Sequence, residues 1–185
     1  MKIYYDIILT QAEDKFGDIV SIGLVSETGD TFYAESTDFN IEDCSLFITG
    51  LVVPELYFYG NKKRYTLVDD SNIEMYDNKV SIANKLVEWL SKYEDVEFIG
   101  DCVMYTSIAL KELLLLAKDK YYGDNLLAVY DINQLVAETN DISVNISANE
   151  PIRVETGLVN VGYNALSNAK CIKTVYDTLK NGGDK

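Results

Sequence analysis

Closely spaced apolar stretches at the start of the chain constrain its fold most. The segment Lys2–Leu9 (KIYYDIIL) is rich in β-branched and aromatic residues, as is Asp18–Ser26 (DIVSIGLVS), and both patterns predict strands. Glu27–Asp30 has the composition of a turn, and Thr31–Ser36 (TFYAES) predicts a third strand. A connection this short joins antiparallel neighbours. The chain therefore begins with a meander of strands.

Helical and strand patterns alternate after this meander. Apolar residues recur with helical spacing from Val80 to Tyr93, and Val96–Gly100 is a short apolar strand. Further along lie an apolar helix (Ser107–Lys118), a strand in the apolar run from Leu126, a short helix (INQLVAE) and an amphipathic helix (Ala165–Lys180). This order predicts an α/β fold with a mixed sheet of about five strands, flanked by helices on both faces. The first strand, being strongly apolar, should lie in the interior of the sheet.

Length and composition indicate one folded domain spanning residues 1–185. Hydrophobic residues make up 48% and charged residues 25% of the chain, as in globular proteins, and this length is enough for one full core. The longest irregular stretch is Asn140–Val161. No apolar run approaches the ~20 residues that span a bilayer, and the N-terminus lacks a signal-peptide cleavage site. Cys44, Cys102 and Cys171 form no CxxC pair. We therefore expect reduced thiols, no membrane contact and a cytoplasmic location.

Two features of the composition restrict the function. The chain has no histidine, which excludes any mechanism that uses an imidazole base or ligand. Its formal net charge is −14, from 16 basic and 30 acidic residues, whereas proteins that bind nucleic acid usually present a basic track to the phosphates. The only dense basic cluster is Lys62-Lys63-Arg64. An acidic surface either serves solubility or binds a basic partner, and the sequence leaves both interpretations open.

Sequence motifs at three places resemble one enzyme family. The segment YYDIILTQ, followed by GDIVSIGLVSETGDTFYAESTDF, is similar to the opening of small bacterial and phage exoribonucleases. VEFIGDCVMYTSIALKELL is similar to their middle motif, and GYNALSNAKCIK to their last motif. The motifs occur in the order of the DEDD superfamily of 3′–5′ exoribonucleases, the group of ribonuclease T and oligoribonuclease. The resemblance spans nearly the whole chain and implies a ribonuclease H-like fold.

The resemblance also implies where the family's catalytic residues fall. Enzymes of this family hold two divalent ions, about 3.5–4 Å apart, with carboxylates, and a histidine or tyrosine positions the attacking water. The first aspartate is retained here as Asp6. The family's glutamate, middle aspartate, histidine and final aspartate fall at Ile8, Thr106, Tyr163 and Asn168. We therefore expect no catalytic residues and no cofactor, with Asp6 as a weak magnesium or manganese ligand at most.

No nearby side chain in the sequence replaces the missing metal-binding and catalytic residues. Tyr163 lies five residues before Asn168, the spacing of the histidine branch of the superfamily, and we interpret it as a packing or surface residue. Asp101 would face the side opposite the middle motif position if the strand were continuous. Glu13 and Asp14 lie in a loop after the first strand and Asp131 begins a helix, so we interpret each as a solvated charge or a helix cap.

These residues are compatible with three classes of function. The first is an inactive exonuclease-like protein that acts by binding, such as a phage or mobile-element inhibitor that occupies the basic channel of a nucleic-acid-handling machine, as several anti-CRISPR proteins do. Its partner would be a basic nucleic-acid-binding protein or complex. The second is an active magnesium- or manganese-dependent 3′–5′ exoribonuclease with an atypical set of acids. A third, a nucleic-acid binder without chemistry, agrees less well with the charge of −14. The lost ligands and the acidic charge favour the first.

Overall fold

A seven-stranded mixed sheet forms the centre of the part of the chain that is described. The computed structural model describes residues 1–11, 17–60, 65–69, 71–101, 103–118, 128–138 and 164–182. The strands are β1 (Lys2–Leu9), β2 (Ile19–Ser26), β3 (Thr31–Ser36), β4 (Tyr65–Val68), β5 (Asn72–Asp77), β6 (Glu97–Gly100) and β7 (Ala128–Asp131). The α-helices are α1 (Lys79–Leu90), α2 (Val103–Leu115), α3 (Ile132–Glu138) and α4 (Ala165–Gly182). None of these described helices is both long and apolar enough to cross a membrane.

The strands lie side by side in the order β4-β5-β3-β2-β1-β6-β7. The first three form the predicted antiparallel meander. β6 runs parallel to β1, and β7 runs parallel to β6. β5 joins the other side of the meander parallel to β3 and pairs with β4 as an antiparallel hairpin. β1 therefore lies in the interior of the sheet, as predicted.

Helices cover both faces of the sheet because its central strands are apolar on both sides. Successive side chains of a strand point to opposite faces. On one face Ile3, Tyr5 and Ile7 are buried in the core cluster that includes α1 and α2. On the other face Tyr4 is buried against α3 and α4, with Ile172 among its neighbours. The predicted α/β architecture, a mixed sheet flanked by helices, is confirmed.

The sheet has seven strands instead of the predicted five or so. The additional hairpin is β4 and β5. β5 buries Ile73 and Met75 and leaves Glu74 half-buried, an alternation that the sequence does contain. In β4 (YTLV), Leu67 and Val68 are 48% and 50% exposed, so this outer strand is apolar in sequence without being buried.

Several boundaries also differ from the predicted ones. α2 begins at Val103 instead of Ser107, and α1 ends at Leu90 instead of Tyr93. The strand predicted from Leu126 is described from residue 128 onward. The predicted irregular stretch 140–161 lies outside the described residues.

α4 approaches the sheet very closely at Gly23 of β2. A Cβ atom on Gly23 would lie 2.2 Å from the backbone nitrogen of Leu166 and 2.3 Å from the carbonyl carbon of Ala165. Since these are backbone atoms, no rotation of a neighbouring side chain makes room for it. Tyr33, which pairs with Gly23 from β3, is buried against Leu166. Gly23 therefore sets the distance between the sheet and the first turn of α4.

We expect Gly23→Ala to lower the free energy of unfolding by about 3 kcal/mol or more, the upper end of overpacking costs, because α4 must move as a unit. Gly50→Ala is the matched control, since a Cβ at Gly50 meets nothing within 4 Å. Within the helical turn Ile48–Val52, that change should be neutral or stabilising by about 0.5–1 kcal/mol. Urea unfolding followed by circular dichroism measures both, and equal stabilities for the two variants would contradict the role of Gly23.

Candidate functional site

The carboxyl ends of the parallel strands β1, β6 and β7 meet at one end of the sheet. β1 is followed by β2 on one side, whereas β6 is followed by β7 on the other. Ligands of open α/β sheets bind where the strand order reverses in this way. Asp6 and Asp101 are the residues that follow the paired Tyr5 and Gly100, and Asp131 is the last residue of β7. Three acidic residues therefore lie around this reversal point.

The side chains of Asp6 and Asn168 are in direct contact. Nδ2 of Asn168 donates a hydrogen bond of 2.7 Å to Oδ2 of Asp6. Asn164, the residue before α4, caps the helix, because its buried side chain accepts the N–H of Ser167 at 2.9 Å. Gly23 is the partner of Asp6 on β2. The close approach of α4 at Gly23 therefore places Asn168 over the carboxylate.

Ile8, two residues after Asp6, is part of an apolar cluster. The cluster consists of buried side chains from β1, β2, the helical turns after β3 and the start of α4: Ile8, Val20, Ile48, Val52, Leu56 and Ala165. Residues two apart on a strand share a face, so Ile8 and Asp6 lie on the same side of β1. A carboxylate in place of Ile8 would have to displace this packing.

Thr106 contacts the opposite face of β1. Its hydroxyl lies 3.2 Å from the Tyr5 hydroxyl and donates a hydrogen bond of 3.5 Å to the carbonyl oxygen of Asp101. Tyr5 belongs to the core under α1 and α2. Burial raises the pKa of Tyr5 to about 12, although its hydrogen bond with Thr106 acts in the other direction. Of the family positions, the structure therefore brings Asp6 and Asn168 together and gives Thr106 a different set of contacts.

Tyr163, Glu13 and Asp14 lie outside the described residues, so their positions relative to Asp6 stay predictions. Among the residues that are described, no group of three or more Asp, Glu or Cys side chains converges in the manner of a metal site.

Asp101 and Asp131 are joined by the amide of Asn133. Nδ2 of Asn133 donates to Oδ1 of Asp101 at 2.7 Å and to Oδ1 of Asp131 at 2.8 Å. The backbone N–H of Asn133 also donates to Asp131 at 2.8 Å, so Asp131 caps α3, as predicted. Neither Asn133 nor its contact with Asp101 was predicted from the sequence. The sequence Asp-Ile-Asn, where the predicted strand meets the short helix, was the local pattern that could have indicated this contact.

Glu35 of β3 is completely buried, and its role was not predicted from the sequence. It accepts a hydrogen bond of 2.7 Å from the hydroxyl of Tyr33. It also accepts the backbone N–H groups of three consecutive residues, Tyr57, Phe58 and Tyr59. Burial raises the pKa of Glu35, and these hydrogen bonds lower it by less. Glu35 therefore fixes the segment 57–59 on β3.

No protein-family model matches the chain, and no curated protein matches it.

We expect Asn168→Asp to destabilise the protein at neutral pH, because two carboxylates then face each other where an amide now donates to Asp6. Repulsion raises the folded-state pKa of the pair above the unfolded value of about 3.9. The stability of the variant relative to wild type should therefore be highest below pH about 4 and should fall by roughly 1–3 kcal/mol as pH rises through the folded pKa. Ser167→Asp adds the same charge one residue away and is the control. A loss of equal size in both variants would contradict the contact.

We expect Glu35→Gln to reveal the pH dependence of the buried carboxylate. Because the folded pKa of Glu35 is raised, its contribution to stability is greatest below the unfolded value of about 4.3 and is lost as pH rises through the folded pKa. The stability of wild type minus that of Glu35→Gln should therefore decrease from pH about 4.3 upward and then level off. Urea unfolding of both proteins at a series of pH values gives this difference, and a difference that grows with pH would contradict it.

Proposed function

We propose that this chain is a catalytically inactive, exonuclease-like protein that acts by binding another protein. Within the sheet, three meandering strands are followed by parallel strands reached through helices. This order supports our proposal of a ribonuclease H-like fold, to which the β4–β5 hairpin adds an extension beside β3.

The observation that carries the proposal is the hydrogen bond from Asn168 to Asp6. At the position where the resemblance implies a second carboxylate, the neutral amide of Asn168 donates its N–H to Asp6, so the side chain offers magnesium or manganese one carbonyl oxygen and no negative charge. Ile8 supplies only a buried apolar side chain. The donors around Asp6 therefore do not fit the pair of divalent ions that the family's reaction uses.

The charge of the chain supports a basic partner. The net charge of −14 favours encounter with positively charged surfaces and opposes encounter with nucleic acid. A basic nucleic-acid-binding protein or complex has such a surface in the channel that holds its nucleic acid. We therefore propose the role of a phage or mobile-element inhibitor, similar in its mode of action to anti-CRISPR proteins.

One observation favours the alternative function, an active magnesium- or manganese-dependent 3′–5′ exoribonuclease with an atypical set of acids. Asp101 and Asp131 share one amide donor beside the strand that carries Asp6. These carboxylates are the oxygen donors from which such a set would be built. The missing carboxylates at Ile8 and Asn168 make this the second candidate.

Metal binding and nuclease assays decide between the two functions. We expect wild type to release no nucleotides from single-stranded RNA or DNA with manganese, and to bind manganese no more tightly than about millimolar by calorimetry, since one carboxylate cannot replace the ion's water shell. The variant Ile8→Glu/Asn168→Asp, with carboxylates restored beside Asp6, should be less stable than wild type without metal and should regain melting temperature when manganese is added.

The wild-type result is the critical one. Release of nucleotides by wild type that is lost in both Asp6→Asn and Asp101→Asn would overturn the proposal and establish the exoribonuclease.

A further inference from the structure

The segment between β3 and β4 exposes several large apolar side chains. Leu46 is 91% exposed, Phe47 52%, Tyr57 48%, Leu51 43% and Ile41 37%. We call these five residues the Leu46 surface. Phe47 and Leu51 lie four residues apart in consecutive helical turns, and this spacing places them on one face.

The chain under the Leu46 surface is held in a defined conformation. The inward side chains Ile48, Val52 and Leu56 are buried in the cluster that contains Ile8. The backbone N–H of Ser45 donates to the carbonyl oxygen of Thr10 at 2.9 Å. A surface that is ordered before binding loses less conformational entropy when a partner docks.

The segment that carries the Leu46 surface is acidic. Asp38, Glu42, Asp43 and Glu55 are all exposed, and residues 38–60 contain no lysine or arginine. The complementary partner therefore has apolar side chains flanked by basic ones. A second copy of this chain does not fit, because it would bring the same acidic residues and a charge of −14 to the contact. Anionic membranes and nucleic acid are disfavoured for the same reason.

The segment that carries the Leu46 surface packs against the elements that form the Asp6 site. Ile8 and Ala165, which lie in the cluster beneath it, come from the same strand and helix that carry Asp6 and Asn168. The side-chain Nε2 of Gln11 donates to the carbonyl oxygen of Asp43 at 3.1 Å, which ties this acidic segment to the chain just after β1. A segment docked on the Leu46 surface therefore lies next to the carboxyl end of β1.

We propose that the Leu46 surface binds a basic amphipathic segment of a protein partner, with leucine-like residues on one face and lysine or arginine at its margins. This inference rests on the proposed binding function and names its surface and the chemistry of its partner. The mode of recognition is that of an amphipathic helix placing its apolar face on a complementary apolar surface.

A defined peptide tests the proposal on the full chain. The probe is a fluorescein-labelled peptide of leucine and lysine, with leucine at helical i, i+3, i+4 and i+7 spacing. Its control has alanine in place of leucine and therefore the same charge. Fluorescence anisotropy at physiological ionic strength should show binding of the leucine peptide and at least about tenfold weaker binding of the alanine peptide.

Matched variants locate the binding surface. Leu46→Ser/Leu51→Ser should weaken binding of the leucine peptide about tenfold or more. The control Leu115→Ser/Leu116→Ser changes two exposed leucines of 64% and 43% exposure at the end of α2, and its effect should stay within about twofold. Likewise Glu42→Lys/Glu55→Lys should weaken binding more than Glu112→Lys/Glu138→Lys, although the net charge of the two variants is equal. Circular dichroism confirms that each variant is folded.

Three outcomes would overturn the inference: no binding of the leucine peptide, equal weakening by the surface and control variants, or tighter binding of single-stranded RNA to the same surface. These outcomes are separable from failure of the proposed function. If wild type has no nuclease activity but the Leu46 surface does not bind, only the surface is wrong. If wild type is a nuclease whose activity needs Asp6, the binding function itself falls, whatever the peptide does.

Discussion

The packing of α4 directly on Gly23 determines the arrangement of one whole face of the sheet. Because the helix backbone occupies the space of a side chain, the height of α4 above the sheet is fixed at its first turn. The later turns then bury Cys171 and Val175 in the cluster of Tyr4. Asn168 reaches Asp6, and the start of α4 closes over Ile8, through the same geometry. The candidate site thus depends on the one position of β2 that has no side chain.

At the end of the sheet that carries Asp6, Asp101 and Asp131, asparagine side chains donate hydrogen bonds to the carboxylates. Asn168 donates to Asp6, and Asn133 donates to both Asp101 and Asp131. An amide N–H satisfies a carboxylate oxygen without neutralising its charge, so this end of the molecule is hydrogen-bonded internally and still negative. Hydrogen bonds between carboxylates and the N–H groups of lysine or arginine are stronger than those between neutral groups. This chemistry is consistent with our proposal that the partner presents a basic protein surface.

The sequence predicted the parts of the fold that depend on local spacing. β1, β2 and β3 were found because their apolar residues and turn are contiguous, and α1 because its buried residues repeat along one face. The parts that depend on contacts between distant segments were not predictable. Asn133 meets Asp101 only because β6 and β7 pair in parallel, and Thr106 meets Tyr5 because α2 begins four residues before its apolar pattern. The hydrogen bond between Asp6 and Asn168 joins residues 162 positions apart, so no local pattern indicates it.

The burial of Glu35 also depends on a contact between distant segments and was not predictable from the sequence. A glutamate in a strand predicts an exposed position, yet Glu35 is buried, since three backbone N–H groups from the segment 57–59 supply donors that no sequence pattern indicates. Its raised pKa means that the burial of its charge lowers stability at neutral pH. The same hydrogen bonds fix the backbone of Tyr57, whose ring packs against Tyr33. An ordered segment suits the binding surface that we propose, because order before docking reduces the entropy lost when a partner binds.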